Sequence, residues 1–312
     1  MPTVLVATWD NGIFVVDGGV IRHELAGESI RCLANDGRDG ALAIAGNRSL
    51  RRRSRDGTWN TIAESEVDLA ACVAVGAAIY VGSDDARVSR IGHDGSFEWL
   101  SGFGDVAGRD TWYAGSAIID GRRVGPPLGV RSMSATCDDS VILVNVHVGG
   151  IPRSRDGGAS WQPTIDIECD VHEVRAHPTR SNVVAAAAGA GLCISTDGGA
   201  TWTVEHEGLH ASHCSAVAFA GSDVLVSAST DPFANEGAVY RRPLDGSGPL
   251  MPVGGGLPRW MDGIVDTGSM AANGSAVAVA DRGGNLYVSE DAGRTWLRIA
   301  DGLAAPSGVL IY

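Results

Sequence analysis

Three histidines, His147, His172 and His213, recur at comparable places in successive repeats of the chain. They are the residues best suited to do chemistry. Imidazole binds divalent transition metals through a ring nitrogen, and near pH 7 it also accepts and passes protons. Such a set predicts Zn, Cu, Ni or Fe rather than Mg or Ca, which prefer oxygen donors. Asp170 and Glu173 flank His172 and can orient the imidazoles from behind. No short metal-ligand motif is present, so separate histidines in a polar, water-filled channel are the plain alternative. Asp266 falls at a similar height and joins the catalytic candidates. Arg31 and Arg131 can clamp a carboxylate or phosphate, or pair with Asp68, Asp170 or Asp266. Trp112, Tyr113 and Trp260 fall in loop contexts from which an aromatic ring can stack on a ligand.

What positions these residues is a repeat. The phrase Ser289-Glu290-Asp291-Ala292-Gly293-Arg294-Thr295-Trp296 returns as Ser195 to Trp202 and as Ser154 to Trp161, and a shortened form runs from Ser54 to Trp59. Each reads as a hairpin turn. The Asp carboxylate accepts from N–H groups just downstream, Gly supplies positive φ, and Thr or Ser opens the outgoing strand. The Trp is an apolar plate that wedges between sheets. Turn-like Asp residues stand at 17, 56, 94, 156, 197, 245 and 291. Short apolar or alternating strands lie around each, and no helical period occurs. Four strands per unit at a near-constant period predict propeller blades.

The phrase Ser-x-Asp-x-Gly-x-Thr/Ser-Trp resembles the Asp-box of the bacterial neuraminidase repeat (BNR), sialidase-like β-propellers. The expected fold is therefore all-β: a seven-bladed β-propeller with four-stranded blades. The first blade lacks an opening strand, so Val309–Ile311 should supply it and close the ring. One domain is expected over residues 1–312. The wide step between Asp94 and Asp156 marks an insertion at about 102–131, placed over the channel mouth. The turns should occupy the rim opposite that mouth. The sialidases of this family use three Arg, a Tyr–Glu pair and an Asp acid. Those residues find no match here, where Gly150-Ile151-Pro152-Arg153 reverses the family's Arg-Ile-Pro order.

Composition narrows the function. With 312 residues, 44% hydrophobic, and a net charge of −13, the chain can bury a large core but repels phosphate backbones and anionic membranes. Its six cysteines show no CxxC pair, and no apolar leader opens the sequence, which predicts a cytoplasmic protein. The first reading is a small-molecule hydrolase or lyase at a His-rich channel mouth, taking a small polar or anionic molecule. A non-catalytic binding or assembly scaffold with a protein partner is the second, and an exo-sialidase or other glycosidase the third.

Overall fold

Val184–Ala188, Ala276–Ala280 and Ala41–Ala45 are built from Ala, Val, Leu and Ile, and nearly every side chain in them is buried. A strand buried on both faces reads as continuously apolar, and small residues let neighbouring sheets approach closely. Outer strands differ. Val20–Glu24 is largely exposed, while Gln162–Pro163 and Met251–Pro252 are two-residue segments ending in proline. Short edges carrying proline resist pairing with other chains.

The computed structural model describes residues 1–115, 117–119, 122–124, 128–246 and 248–312. Gly125, Pro126 and Pro127 of the expected insertion lie outside the described residues. Among the described residues the fold is the expected seven-bladed β-propeller of antiparallel sheets. In chain order the blades open at Val4–Thr8, Ile30–Asn35, Leu69–Val75, Val130–Ala135, Val171–Ala176, His213–Ala220 and Met270–Asn273. Six of these sheets have four strands. The sixth blade carries a fifth, Met261–Asp262, on Glu236–Pro243. Within the insertion, Ala117–Ile119 pairs with Arg122–Val124.

The chain ends share a blade, as the unpaired terminal strands required. Val4 pairs with Ile311, Leu5 with Leu310 and Val6 with Val309. By density of contacts the chain divides into two compact units. One comprises residues 1–33, 185–193 and 204–312, the other 34–184 and 194–203. A core around Met270, Tyr287 and Trp296 fills part of the first unit, and one around Tyr80, Phe103, Trp112 and Trp161 fills part of the second.

The three full turns share one hydrogen-bond pattern. Asp197 Oδ1 accepts from Thr201 N at 2.9 Å, and Oδ2 accepts from Thr201 Oγ1 at 2.6 Å. Ser195 Oγ donates to Asp197 Oδ1 at 2.8 Å and accepts from Gly199 N at 2.8 Å. Asp156 and Asp291 repeat these contacts with Ser160 and Thr295. The second glycine of each turn leans on a leucine of the preceding blade. A Cβ at Gly158, Gly199 or Gly293 would meet Leu100, Leu143 or Leu225 at 2.4, 2.7 and 3.0 Å. Ala292 takes the left-handed conformation (φ 57) where the other two turns have Gly157 and Gly198.

Candidate metal centre

His147 follows the strand Ile142–Val146 at the start of a tight turn. Gly149 N donates to Val146 O at 2.9 Å, and Val146 N to Gly150 O at 3.0 Å. Val148, within that turn, is held at φ 49. Left-handed backbone is costly for a β-branched residue and persists only where its surroundings enforce it. His147 N donates to Gly129 O at 3.1 Å, which pins the turn to the opening of the same blade.

Asp170 and His172 come from the next blade. A 3-10 turn, Ile167–Cys169, is capped at its start by Asp166, whose side chain accepts from Glu168 N, and ends at Asp170 (φ 53). Aspartate tolerates this left-handed conformation better than most residues. The chain then enters Val171–Ala176, whose first four residues are all buried, with His172 and Val174 sharing one face. Serine hydroxyls stitch the two blades together. Val174 N donates to Ser132 Oγ at 3.0 Å and Ala176 N to Ser134 Oγ at 2.9 Å. The register of one opening strand against the other thereby sets the distance between the two imidazoles.

Asp170 joins the pair. His172 Nε2 donates to Asp170 Oδ2 at 3.2 Å. His147 Nε2 stands 3.2 Å from Asp170 Oδ1, at an angle that leaves Oδ1 without a hydrogen bond. The rings are 5.7 Å apart and tilted by 47°. One ligand atom from each of His147, Asp170 and His172 lies within 4.8 Å of the others. Both histidines are buried, at 5% and 2% exposure, while Asp170 is half-buried. Burial holds His147 below the ordinary imidazole range, helped by the charge of Arg131 and opposed by Asp170. Burial pushes Asp170 up, but its contacts with His147 and His172 outweigh this and hold it well below the carboxylate range.

Four ligand bonds of about 2 Å in a tetrahedron put neighbouring ligand atoms roughly 3.3 Å apart. His147 Nε2 and His172 Nε2 each stand 3.2 Å from Asp170, near that figure, but on different oxygens of its carboxylate. Two buried polar atoms of the group lack hydrogen-bond partners, Asp170 Oδ1 and His147 Nδ1. Orphaned buried polar atoms call for an explanation, and an ion is one.

The insertion covers His147. Phe103, Val106 and Trp112 bury its first half, with Phe103 packing edge-on to Trp161 at 5.1 Å. Arg109 stacks over Trp112 at 4.7 Å and donates to Ala86 O at 2.7 Å. Trp112, expected to stack on a ligand, is 8% exposed and belongs to the core. Tyr113 is 47% exposed, and its hydroxyl donates to Glu168 at 3.4 Å. Arg131 stands where the register of Val130–Ala135 shifts, a bulge beside the histidines. Glu173, expected behind the imidazoles, is buried and pairs with Arg175 at 2.6 Å.

The other expected site residues lie in the first compact unit. His213 opens the strand His213–Ala220 opposite Ser229 and is not part of the three-residue group. Asp266 accepts from Thr267 N at 2.7 Å and lies 3.9 Å from Arg282. Arg31 stacks on Trp9 at 5.8 Å. Trp260 packs against Arg259 and His210.

No protein-family model matches the chain, and no curated protein matches it in sequence. Solved structures do match in fold. The computationally designed Ika8 protein is similar at TM-score 0.60 and 13% identity, covering 99% of this chain and 92% of its own. The RRP9 WD40 repeats match at TM-score 0.58 and 13% identity, covering 96% and 86%. A GH74 enzyme of Niastella koreensis matches at TM-score 0.60 and 14% identity, covering 96% of this chain and 46% of that one. At such identities these likenesses establish the propeller fold and nothing finer. Among the described residues no helix is long and apolar enough to cross a membrane.

Proposed function

We propose that the chain is a metal-dependent hydrolase or lyase acting on a small polar or anionic molecule, with His147, Asp170 and His172 as ligands. The observation that carries this is the buried three-residue group with an orphaned oxygen and an orphaned nitrogen inside it. Two imidazoles and a carboxylate suit Zn or Fe(II) ahead of Cu or Ni, and leave a coordination position open. When bound, such a metal lowers the pKa of a coordinated water and polarises a carbonyl. Asp170 holds the imidazole of His172 by a hydrogen bond and stands 3.2 Å from that of His147. Arg131 supplies positive charge beside His147 for an anionic substrate group. Tyr113 offers a half-exposed hydroxyl near Glu168 and Asp170.

The shared geometry of the three turns supports kinship with the BNR propellers within a single domain over residues 1–312. A cytoplasmic location is part of this reading, on the six scattered cysteines.

Metal analysis of purified chain by mass spectrometry, beside His172→Ala, tests the proposal. Close to one equivalent of Zn or Fe in the wild type, and its loss in the variant, is expected. A wild type without transition metal, unable to take up Zn on titration, leaves the binding scaffold as the better account.

A further inference from the structure

In the first compact unit a second group of side chains is organised around a fully buried tyrosine. Tyr240 is 0% exposed. Its phenol oxygen accepts from His210 N at 3.1 Å and from Arg259 Nη2 at 2.9 Å, and lies 2.8 Å from His210 Nδ1. Two N–H donors already point at that oxygen, so the phenol proton goes to His210 Nδ1. This assigns His210 as the tautomer with its proton on Nε2, turned away from Tyr240.

Arg259 is held equally firmly. Its guanidinium lies 5.2 Å from the Tyr240 ring and 4.5 Å from the Trp260 ring. His210 meets Trp260 edge-on at 4.9 Å. Stacking and the phenol acceptor together fix an arginine that would otherwise sample many rotamers. Yet the three side chains stay open to solvent, with Trp260 44% exposed. Among the described residues no acceptor meets the other N–H groups of Arg259, the Nε2 of His210 or the indole N–H of Trp260. No carboxylate among the described residues pairs with Arg259 within salt-bridge distance, in a chain of net charge −13. Glu236 is the acid that acts on His210, and Arg259 the cation. Several fixed donors left unpaired around one permanent cation make a preorganised anion site, because the ordering cost is met before the ligand arrives.

We propose that Arg259, His210 and Trp260 bind the carboxylate of a small organic molecule. The planar guanidinium matches a planar carboxylate. One fixed positive charge, with Glu236 close to His210, suits a monoanion better than a phosphate dianion. This site is separate from the histidine–aspartate group and does not depend on it.

Calorimetric titration of the full chain with benzoate, and separately with inorganic phosphate, tests this. Saturable benzoate binding is expected, weakened about tenfold or more by Arg259→Gln and partly kept by Arg259→Lys, since the fork is lost but not the charge. Benzoate binding that persists in His172→Ala and is lost in Arg259→Gln belongs to this site, which separates the result from the fate of the metal centre. Circular dichroism confirms that each variant is folded. Absence of saturable benzoate binding, equal affinity in Arg259→Gln, or phosphate binding with benzoate excluded would each overturn the proposal.

Discussion

The backbone of Gly115 lies against the imidazole of His147. A Cβ at that position would stand 2.0 Å from Cε1 and 2.4 Å from Nδ1. Gly115 is not in the left-handed region, so its requirement for glycine comes from the ring alone. Gly115→Ala must therefore displace either the imidazole or the insertion, while every ligand stays in the chain. Zn affinity, read by competition with a chelating dye, should fall about 10–100-fold, the scale on which misoriented ligands are felt. The clash also costs stability, so affinity is read on a variant that circular dichroism shows to be folded. Unchanged affinity would mean that the insertion yields in place of the ring or that His147 is not a ligand, and His147→Ala tells the two apart.

Asp170, rather than His213, completes the group, and two variants separate them. Asn keeps the left-handed backbone of Asp170 comfortable but removes its charge. Asp170→Asn should weaken Zn binding by about tenfold or more, on the scale of a lost charged ligand. His213→Ala should bind as the wild type does. The reverse ranking would restore the three-histidine site.

The blades, their number and the closing strand were legible because turn chemistry is local. Ser195, Asp197 and Thr201 lie within a few residues of one another and make the bonds their types imply. The sequence pointed to His147, His172 and His213 together because neighbouring repeats bring their ends side by side, and the structure groups only the first two of these with Asp170. The place of Asp170 in the group was less legible, since it follows from a short 3-10 turn just before Val171–Ala176. Gly115 was invisible for a related reason. Its contact with His147 arises where a long insertion folds back, and no repeat specifies that path. Trp112 was misplaced because an aromatic in a loop reads alike whether it is exposed or, as here, packed on Phe103. The Tyr240, His210 and Arg259 group draws on three separate segments, and no spacing along the chain announces it.

The turns should matter for stability and not for metal. Asp197 accepts bonds from Ala200 N, Thr201 N and Thr201 Oγ1. Asp197→Ala leaves those donors to water or to nothing, which costs about 1–3 kcal/mol. Urea unfolding should show that loss at unchanged Zn affinity. A variant of normal stability that no longer binds Zn would make the turn functional.

The same carboxylates set an acid limit. Hydrogen bonds from Ser160 hold Asp156 at about 2, and Asp197 is at about 2 as those from Thr201 outweigh burial. A folded pKa below the unfolded value of about 4 stabilises the fold above that pH, and the stabilisation is lost as pH falls through the folded pKa. Melting temperature should thus drop between about pH 4 and pH 2, and the drop should be shallower in Asp156→Asn with Asp197→Asn. Equal slopes would mean that other acids govern acid unfolding.

Closure of the first blade can be tested by removing and restoring one strand. Val309 and Ile311 are 2% and 3% exposed and pair with Val6 and Val4. Val309 N also donates to Gly268 O at 2.7 Å, and Ser307 Oγ donates to Ile30 O, so the strand is tied on both sides. Deleting residues 307–312 removes the burial of both side chains, worth roughly 1.5–3 kcal/mol each, and bares the long edge of Val4–Thr8. The truncated chain should melt well below the full chain and self-associate through that edge. A synthetic peptide spanning 305–312, added in trans, should occupy the empty position and raise the melting temperature with peptide concentration, by mass action. A truncated chain that melts like the full one, or that ignores the peptide, would show that the last strand does not hold the blade together.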